Sequence, residues 1–428
     1  MSTVAFYTLG CKVNQYDSQA MLEQFLKAGY ETRGFHERAD VYVINSCVVT
    51  GTGEKKSLQA VRRAMKQNPE AEVILAGCLA QKDAEGLLKS GLRLVIGNQR
   101  RNEIVTLLEE AVQHETQIAA VDSVLRVPFE KMEIEGFDGH TRAVMKIQEG
   151  CDRYCAYCII PYVRGGIRSR EVEDVRAEAL RLAQAGYSEV VLTGIHLTSY
   201  GRDLEGKSSL LSAVRAAAEA PGIRRVRLGS LEPVIATEEF ARELAKIPRL
   251  CPQFHLSLQS GSARVLKSMR RRYTPEEYLS AARRLQAAFP GCALTTDVIC
   301  GFPGETEEEF QQTLDFCRKV GFARIHVFPF SKREGTLAAS MPGQLPKAVR
   351  EERARRLIAL GAELAEAYRK RLLDTVQEVL FEEEDENGAS GYTPQYMEVW
   401  AKGAKQGQIA PVMLYKIVKE RFEGLLLS

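Results

Sequence analysis

Cys151, Cys155 and Cys158 fall within the stretch "EGCDRYCAYCIIPYVRG", residues 149 to 165, and no further cysteine follows until Cys251. Thiolate sulfur binds zinc and iron–sulfur clusters, and so short a spacing lets one loop wrap a single metal centre. A closed zinc site wants four protein ligands, yet no histidine lies close by, since His140 precedes the loop. Zinc would therefore need a distant partner. A four-iron cluster held by three cysteines leaves one iron open to a substrate or cofactor, and the spacing favours that arrangement. Polar Asp152 and Arg153 between the cysteines mark a loop rather than three small core residues.

A second set is scattered. Cys11, Cys47 and Cys78 close the runs "YTLGC", "VINSC" and "ILAGC", each at or just past an expected strand end. Strands of a parallel sheet share one carboxyl edge, so the three side chains are expected to converge on one crevice. They read as ligands of a second cluster, again with an open iron. Cys251, Cys292, Cys300 and Cys317 lack such placement and read as ordinary thiols, with Cys300 nearest the expected cofactor pocket.

The elements that must position these residues follow from periodicity. "VAFYTLG", "DVYVINS" and "EVILAG" are strand-length β-rich runs leading into amphipathic segments, which predicts an α/β domain with a doubly wound parallel sheet over residues 1–114. Residues 115–141 lose periodicity and read as a linker. Over 142–373, six candidate strands ("AVMKIQ", "EVVLTG", "RVRLGS", "QFHLSLQ", "ALTTDVI", "RIHVFPF") alternate with helical patterns, predicting a partial TIM-type (β/α)6 barrel. An Arg-rich helix from Pro346 to Leu373 closes that unit. Residues 374–428 read as a small all-β domain broken by a Gly/Asn turn, and their removal should leave the barrel's own chemistry largely intact if the barrel stays folded.

Composition narrows the class. The 428 residues are 45% hydrophobic and 27% charged with a formal net charge of +2, ordinary for a globular protein, and their length calls for two or three domains. No stretch reaches the roughly 18 apolar residues of a membrane span. The start "MSTVAFYTLG" reads as a strand rather than a signal peptide, so a cytoplasmic protein with no membrane partner is expected. Ten cysteines in such a chain point to metal or redox work rather than a disulfide framework. Arg164, Arg168 and Arg170 after the cysteine loop, and Lys267, Arg270, Arg271 and Arg272 beside Tyr273, offer phosphate and base contacts to RNA. Arg350, Arg353, Arg355 and Arg356 of the long helix add counter-charge, whereas Glu382 to Glu386 would repel phosphate.

The Cys-x3-Cys-x2-Cys loop, with aromatic Tyr157 before its last cysteine and a barrel strand before the loop, resembles the radical S-adenosyl-L-methionine (SAM) superfamily. That resemblance implies that SAM chelates the open iron, which accounts for the missing fourth cysteine, and that one-electron cleavage releases a deoxyadenosyl radical. It further implies SAM contacts at Tyr157, at Thr193 and Gly194 of "LTGIHLTSYG", and at Gln259 and Ser260 of "HLSLQSGS". With the second triad added, the whole chain resembles the methylthiotransferase family: a cluster domain, a radical SAM core and a TRAM-like RNA-binding β-barrel. "TLGCKVNQYDS" and "GCDRYCAYCIIPYVRGGIRSR" look most like the branch that acts on N6-threonylcarbamoyladenosine beside the tRNA anticodon. What the resemblance implies is two 4Fe-4S clusters, two SAM per turnover, a methylthio group delivered to C2 of adenine at position 37, an electron donor and a sulfur source. An unactivated aromatic C–H offers side chains nothing to work on, so cofactors carry the reaction and no general acid or base is assigned. Alternatives within the family are an isopentenyladenosine or a ribosomal-protein aspartate as substrate. An alternative of another class is a non-catalytic zinc-dependent RNA-binding protein.

Overall fold

The computed structural model describes residues 2–427 except 126, 138, 139 and 207. Its first sheet runs β1 (Thr3–Thr8), β2 (Glu31–Arg33), β3 (Val41–Ser46), β4 (Glu72–Gly77), β5 (Leu94–Ile96) and β6 (Ile118–Ala120), in spatial order β2-β1-β3-β4-β5-β6 and parallel throughout. Side chains alternate faces along a strand, and both faces of this sheet are apolar. Val4, Val41, Val43 and Ile74 pack under helices carrying Met21, Phe25, Ile104 and Leu107. Ala5, Tyr42, Ile44 and Leu75 pack on the opposite face against Ala60, Val61 and Ala64. The sheet is therefore doubly wound, as its near-continuous apolar strands require. Ile118–Ala120 lies within the stretch read as linker yet pairs with β5 as the sixth strand. Three residues are too few to show periodicity.

The second unit contains β7 (Arg142–Glu149), β8 (Arg168–Ser169), β9 (Glu189–Gly194), β10 (Arg225–Leu228), β11 (Gln253–His255), β12 (Ala293–Cys300) and β13 (Arg324–Pro329). Parallel pairing joins β7 to β9, β9 to β10, β11 to β12 and β12 to β13. Single parallel bridges at Val226–Leu250 and Leu231–Leu256 carry the wall from β10 towards β11. The six anticipated strands thus form a partial barrel, and β8 adds only a short antiparallel edge on β7. Helix Lys12–Lys27 of the first unit lies against β7 and β9.

A buried charge network fastens it there. Lys146 Nζ donates to Asp17 Oδ1 at 2.6 Å, Arg101 also pairs with Asp17, and Tyr16 Oη donates to the Met132 carbonyl at 2.6 Å. Removing one partner of such a network leaves a buried charge uncompensated, at a cost of about 3–5 kcal/mol.

The long helix spans Lys347–Lys370 and packs on β13. Beyond it, β14 (Val376–Glu384), β15 (Gly388–Tyr392), β16 (Glu398–Lys402), β17 (Ile409–Val418) and β18 (Arg421–Leu426) close into a barrel, β14-β15-β16-β18-β17. It is not loosely tethered. Arg225 Nη2 donates to the Glu378 carbonyl at 2.7 Å and Arg227 Nη1 to the Pro394 carbonyl at 2.8 Å, both from the base of the partial barrel.

Candidate active site

The first cysteine triad sits where the sheet order reverses. β1, β3 and β4 are neighbours, and Cys11, Cys47 and Cys78 follow their carboxyl ends in turn: Cys11 caps helix Lys12–Lys27, Cys47 directly follows β3, and Cys78 opens helix Cys78–Lys82. Open α/β sheets bind ligands at such a switch point. A β-carbon added at Gly10 would lie only 3.2 Å from the Cys47 Cβ, so a bare residue lets the Cys11 turn approach Cys47. Arg164 enters from the second unit. Its Nε donates to Cys78 Sγ at 3.2 Å, its Nη2 to Asn14 Oδ1 at 2.8 Å and its Nη1 to Glu149 Oε1 at 2.6 Å. Burial raises the Cys11 thiol pKa and pushes Cys47 up to about 11, while the Arg164 charge lowers both. A buried cation amid thiols suits ligands that must be thiolates.

The second triad wraps the loop between β7 and helix Ile160–Arg164. Gly150, at φ +72°, precedes it, and a β-carbon there would come 1.7 Å from the Gly166 carbonyl oxygen. Only glycine fits. Cys151 N donates to the Gly165 carbonyl at 2.9 Å and Cys158 N to the Cys155 carbonyl at 3.0 Å, which fixes the loop at both ends. Arg271 Nη1 donates to Cys155 Sγ at 3.3 Å while its Nη2 lies 2.7 Å from Glu232. Burial, then the nearby Cys155, pushes the Cys158 thiol up to about 12; burial likewise takes Cys151 to about 12. Both donor sets are all cysteine, with no fourth cysteine or histidine among the donors described, which fits iron–sulfur clusters with an open iron better than tetrahedral zinc.

Two cavities connect these sets to the barrel. The smaller, about 210 Å³, is lined by Tyr157, Cys158, Gln259 and Asp297. Gln259 adopts φ +70°, an uncommon left-handed backbone for its type, at a strand end. Ser260 does not face this space: it is fully buried, with its Oγ 3.3 Å from Thr313 Oγ1. The larger cavity, about 430 Å³, is the barrel lumen. It brings Cys11 and Lys12 together with Thr193, Gly194, Arg227, His255, Arg324 and His326, and Tyr396 of the C-terminal barrel reaches its wall. The His255 and Asp297 side chains, 3.3 Å apart, stand between the two spaces.

Several expected contacts are corrected. Arg164, Arg168 and Arg170 are buried, and Arg164 and Arg170 pair with Glu149 and Glu178, so they do not bind RNA. Arg271 belongs to the Cys155 loop, and Arg353 is buried against Glu305 at 2.6 Å. Glu382 does not repel phosphate; it pairs with Arg142 at 2.6 Å. Cys251, Cys292, Cys300 and Cys317 are core thiols, and Cys300 Sγ lies 3.8 Å from the Phe328 and Arg350 carbonyls. Sequence reasoning missed Lys12, His255, Arg324 and His326 as a group. The signal was present in alternation along β11 and β13, whose inward positions carry imidazole and guanidinium instead of aliphatic side chains.

Comparison with known proteins agrees with this layout. Residues 145–317 match the Radical SAM superfamily and residues 3–97 match the Uncharacterized protein family UPF0004. The threonylcarbamoyladenosine tRNA methylthiotransferase MtaB of Bacillus subtilis is 43% identical over 98% of this chain and 94% of its own length. Its Aquifex aeolicus namesake is 36% identical over 96% of this chain and all of its own length. A tRNA-2-methylthio-N(6)-dimethylallyladenosine synthase of Clostridium tetani is 34% identical over 97% of this chain and 94% of its own. Among solved structures, the radical SAM methyltransferase TsrM of Kitasatospora setae shares the fold at TM-score 0.58 and 14% identity, over 79% of this chain and 74% of that one.

Proposed function

The chain belongs to the radical SAM tRNA methylthiotransferases, and from that premise we propose that it converts N6-threonylcarbamoyladenosine at position 37 of tRNA to its 2-methylthio derivative, with two 4Fe-4S clusters and two SAM. The observation that carries this reading is the shared lumen: Cys11 of the first triad and the strand ends of the SAM barrel face one cavity. At 43% identity, the Bacillus subtilis relative named for threonylcarbamoyladenosine exceeds the 34–36% of four relatives named for dimethylallyladenosine.

When bound, a cluster at Cys151, Cys155 and Cys158 supplies the electron for SAM cleavage, and one at Cys11, Cys47 and Cys78 supplies the sulfur station. The protein's own residues do the rest. Tyr157 and Gln259 offer polar groups to SAM from the smaller cavity, with Thr193 and Gly194 at the lumen side; Ser260 acts only by shaping the turn after Gln259. Arg271 and Arg164 each donate to one sulfur and anchor to a buried carboxylate, which holds the cysteine loops in register. Among the described residues no helix is long and apolar enough to cross a membrane. Nucleoside mass spectrometry of total tRNA from a strain lacking this protein tests the reading. Loss of the 2-methylthio form of threonylcarbamoyladenosine, restored by the gene, is expected. Loss of the isopentenyl counterpart instead would contradict it.

A further inference from the structure

The lumen carries more positive charge than a site for a neutral base requires. Arg227 is matched by Glu189, with Nε to Oε1 at 2.8 Å. Lys12 and Arg324 also line the lumen, and among the described residues neither makes a hydrogen bond or ion pair with a carboxylate. Both side chains are exposed, and both open onto this one space. Both cations lie close enough to His326 to lower its pKa, after burial, against the pull of Asp297. His255, Asp297 and His326 bring ligating atoms within 4.8 Å of one another, as a metal site would. Two neighbouring cations oppose a divalent ion there, and favour an anion instead.

We propose that Lys12 and Arg324 form a subsite that receives the threonyl carboxylate of the substrate base, and so select against an uncharged N6 substituent. This rests on the substrate reading above. A threonylcarbamoyl group ends in a carboxylate and a hydroxyl, whereas an isopentenyl group is all hydrocarbon. Guanidinium pairs with carboxylate in a two-point fork that no hydrocarbon reproduces, and lysine adds a second charge at longer reach. Thr295 and His255, hydrogen-bonded to each other at 3.1 Å on the same wall, stand ready for the hydroxyl. Rejection of the wrong substrate follows from desolvating two cations without a partner, the mode of discrimination that gives the largest ratios.

The test is binding by anaerobically prepared holoenzyme to anticodon stem-loops carrying threonylcarbamoyladenosine, its methyl ester, or isopentenyladenosine at position 37. All three present the same phosphates, and the acid and its ester differ only at the carboxylate, so the ratio of those two reports it. The parent is expected to bind the acid at least about tenfold more tightly than the ester, one charge-assisted pair's worth. Arg324→Met and Lys12→Met should each bring that ratio towards one, with ester binding and iron content like the parent's, and Arg324→Lys should keep part of it. A parent ratio near one, or a ratio unchanged in both Met variants, overturns the subsite while leaving the substrate reading intact. A parent that prefers the isopentenyl stem-loop overturns the substrate reading instead.

Discussion

At the scale of single residues, the account stands on six thiols and two arginines that hold them. Changing Cys151, Cys155 or Cys158 to Ala should abolish reductive SAM cleavage and remove about four irons from about eight in anaerobic protein, measured by iron assay. Stoichiometric zinc in the parent would contradict it. Arg271→Ala should also lower iron content, because Glu232 and Cys155 lose their shared donor; a merely surface arginine would leave the metal untouched. The placement of the six cysteines, three after strand ends and three in one loop, is legible in the sequence because strand ends and tight spacing are local signals. Arg164 and Arg271 were misread for a physical reason. Their partners, Cys78, Glu149, Glu232 and Cys155, lie up to 116 positions away, so a cation in a loop looked like a phosphate contact.

Among elements, the helix Glu307–Val320 shows how local chemistry sets a strand-to-helix turn at the barrel mouth. Thr306 caps it with Glu309 in a reciprocal capping box, and Arg264 pairs with the same Glu309. Thr306→Ala should cost about 1 kcal/mol, read as a lowered denaturation midpoint. Arg264, then the Thr306 amide, holds the Glu309 pKa down to about 2. A depressed carboxylate stabilises the fold above its ordinary value near 4.5 and loses that contribution as pH falls towards 2. Stability of Glu309→Gln should therefore fall less steeply than the parent's between those values; identical acid profiles would refute the pairing. Strand and helix order were readable because alternation and capping are local. The lumen was not, since Lys12 reaches it only after helix Lys12–Lys27 docks on β7 and β9 across a long chain separation.

For the whole molecule, three units act as one. The small barrel contributes Tyr396 to the lumen and carbonyls to Arg225 and Arg227, so deleting residues 374–428 would strip partners from two arginines that are otherwise buried. Such a truncation should lose solubility or iron, so that the folded barrel on which the sequence expectation depends is not retained. Arg270 and Arg272 remain exposed beside the mouth, and Arg270 shares an open groove with Tyr162 and Lys332. Replacing Arg270 and Arg272 with Ala should weaken tRNA binding and reduce its log–log salt slope by up to about two. An unchanged slope would make them solvated bystanders.

The central claim is that the two triads do different work on one substrate in a shared lumen. Its most direct measurement is simultaneous quantification of deoxyadenosine and methylthio product from the Cys11→Ala, Cys47→Ala, Cys78→Ala triple variant, with SAM, reductant and threonylcarbamoyladenosine-bearing tRNA. Deoxyadenosine should still form, because the Cys151 loop is untouched, and methylthio product should be absent. Methylthio product at the parent's level would contradict the division of labour outright.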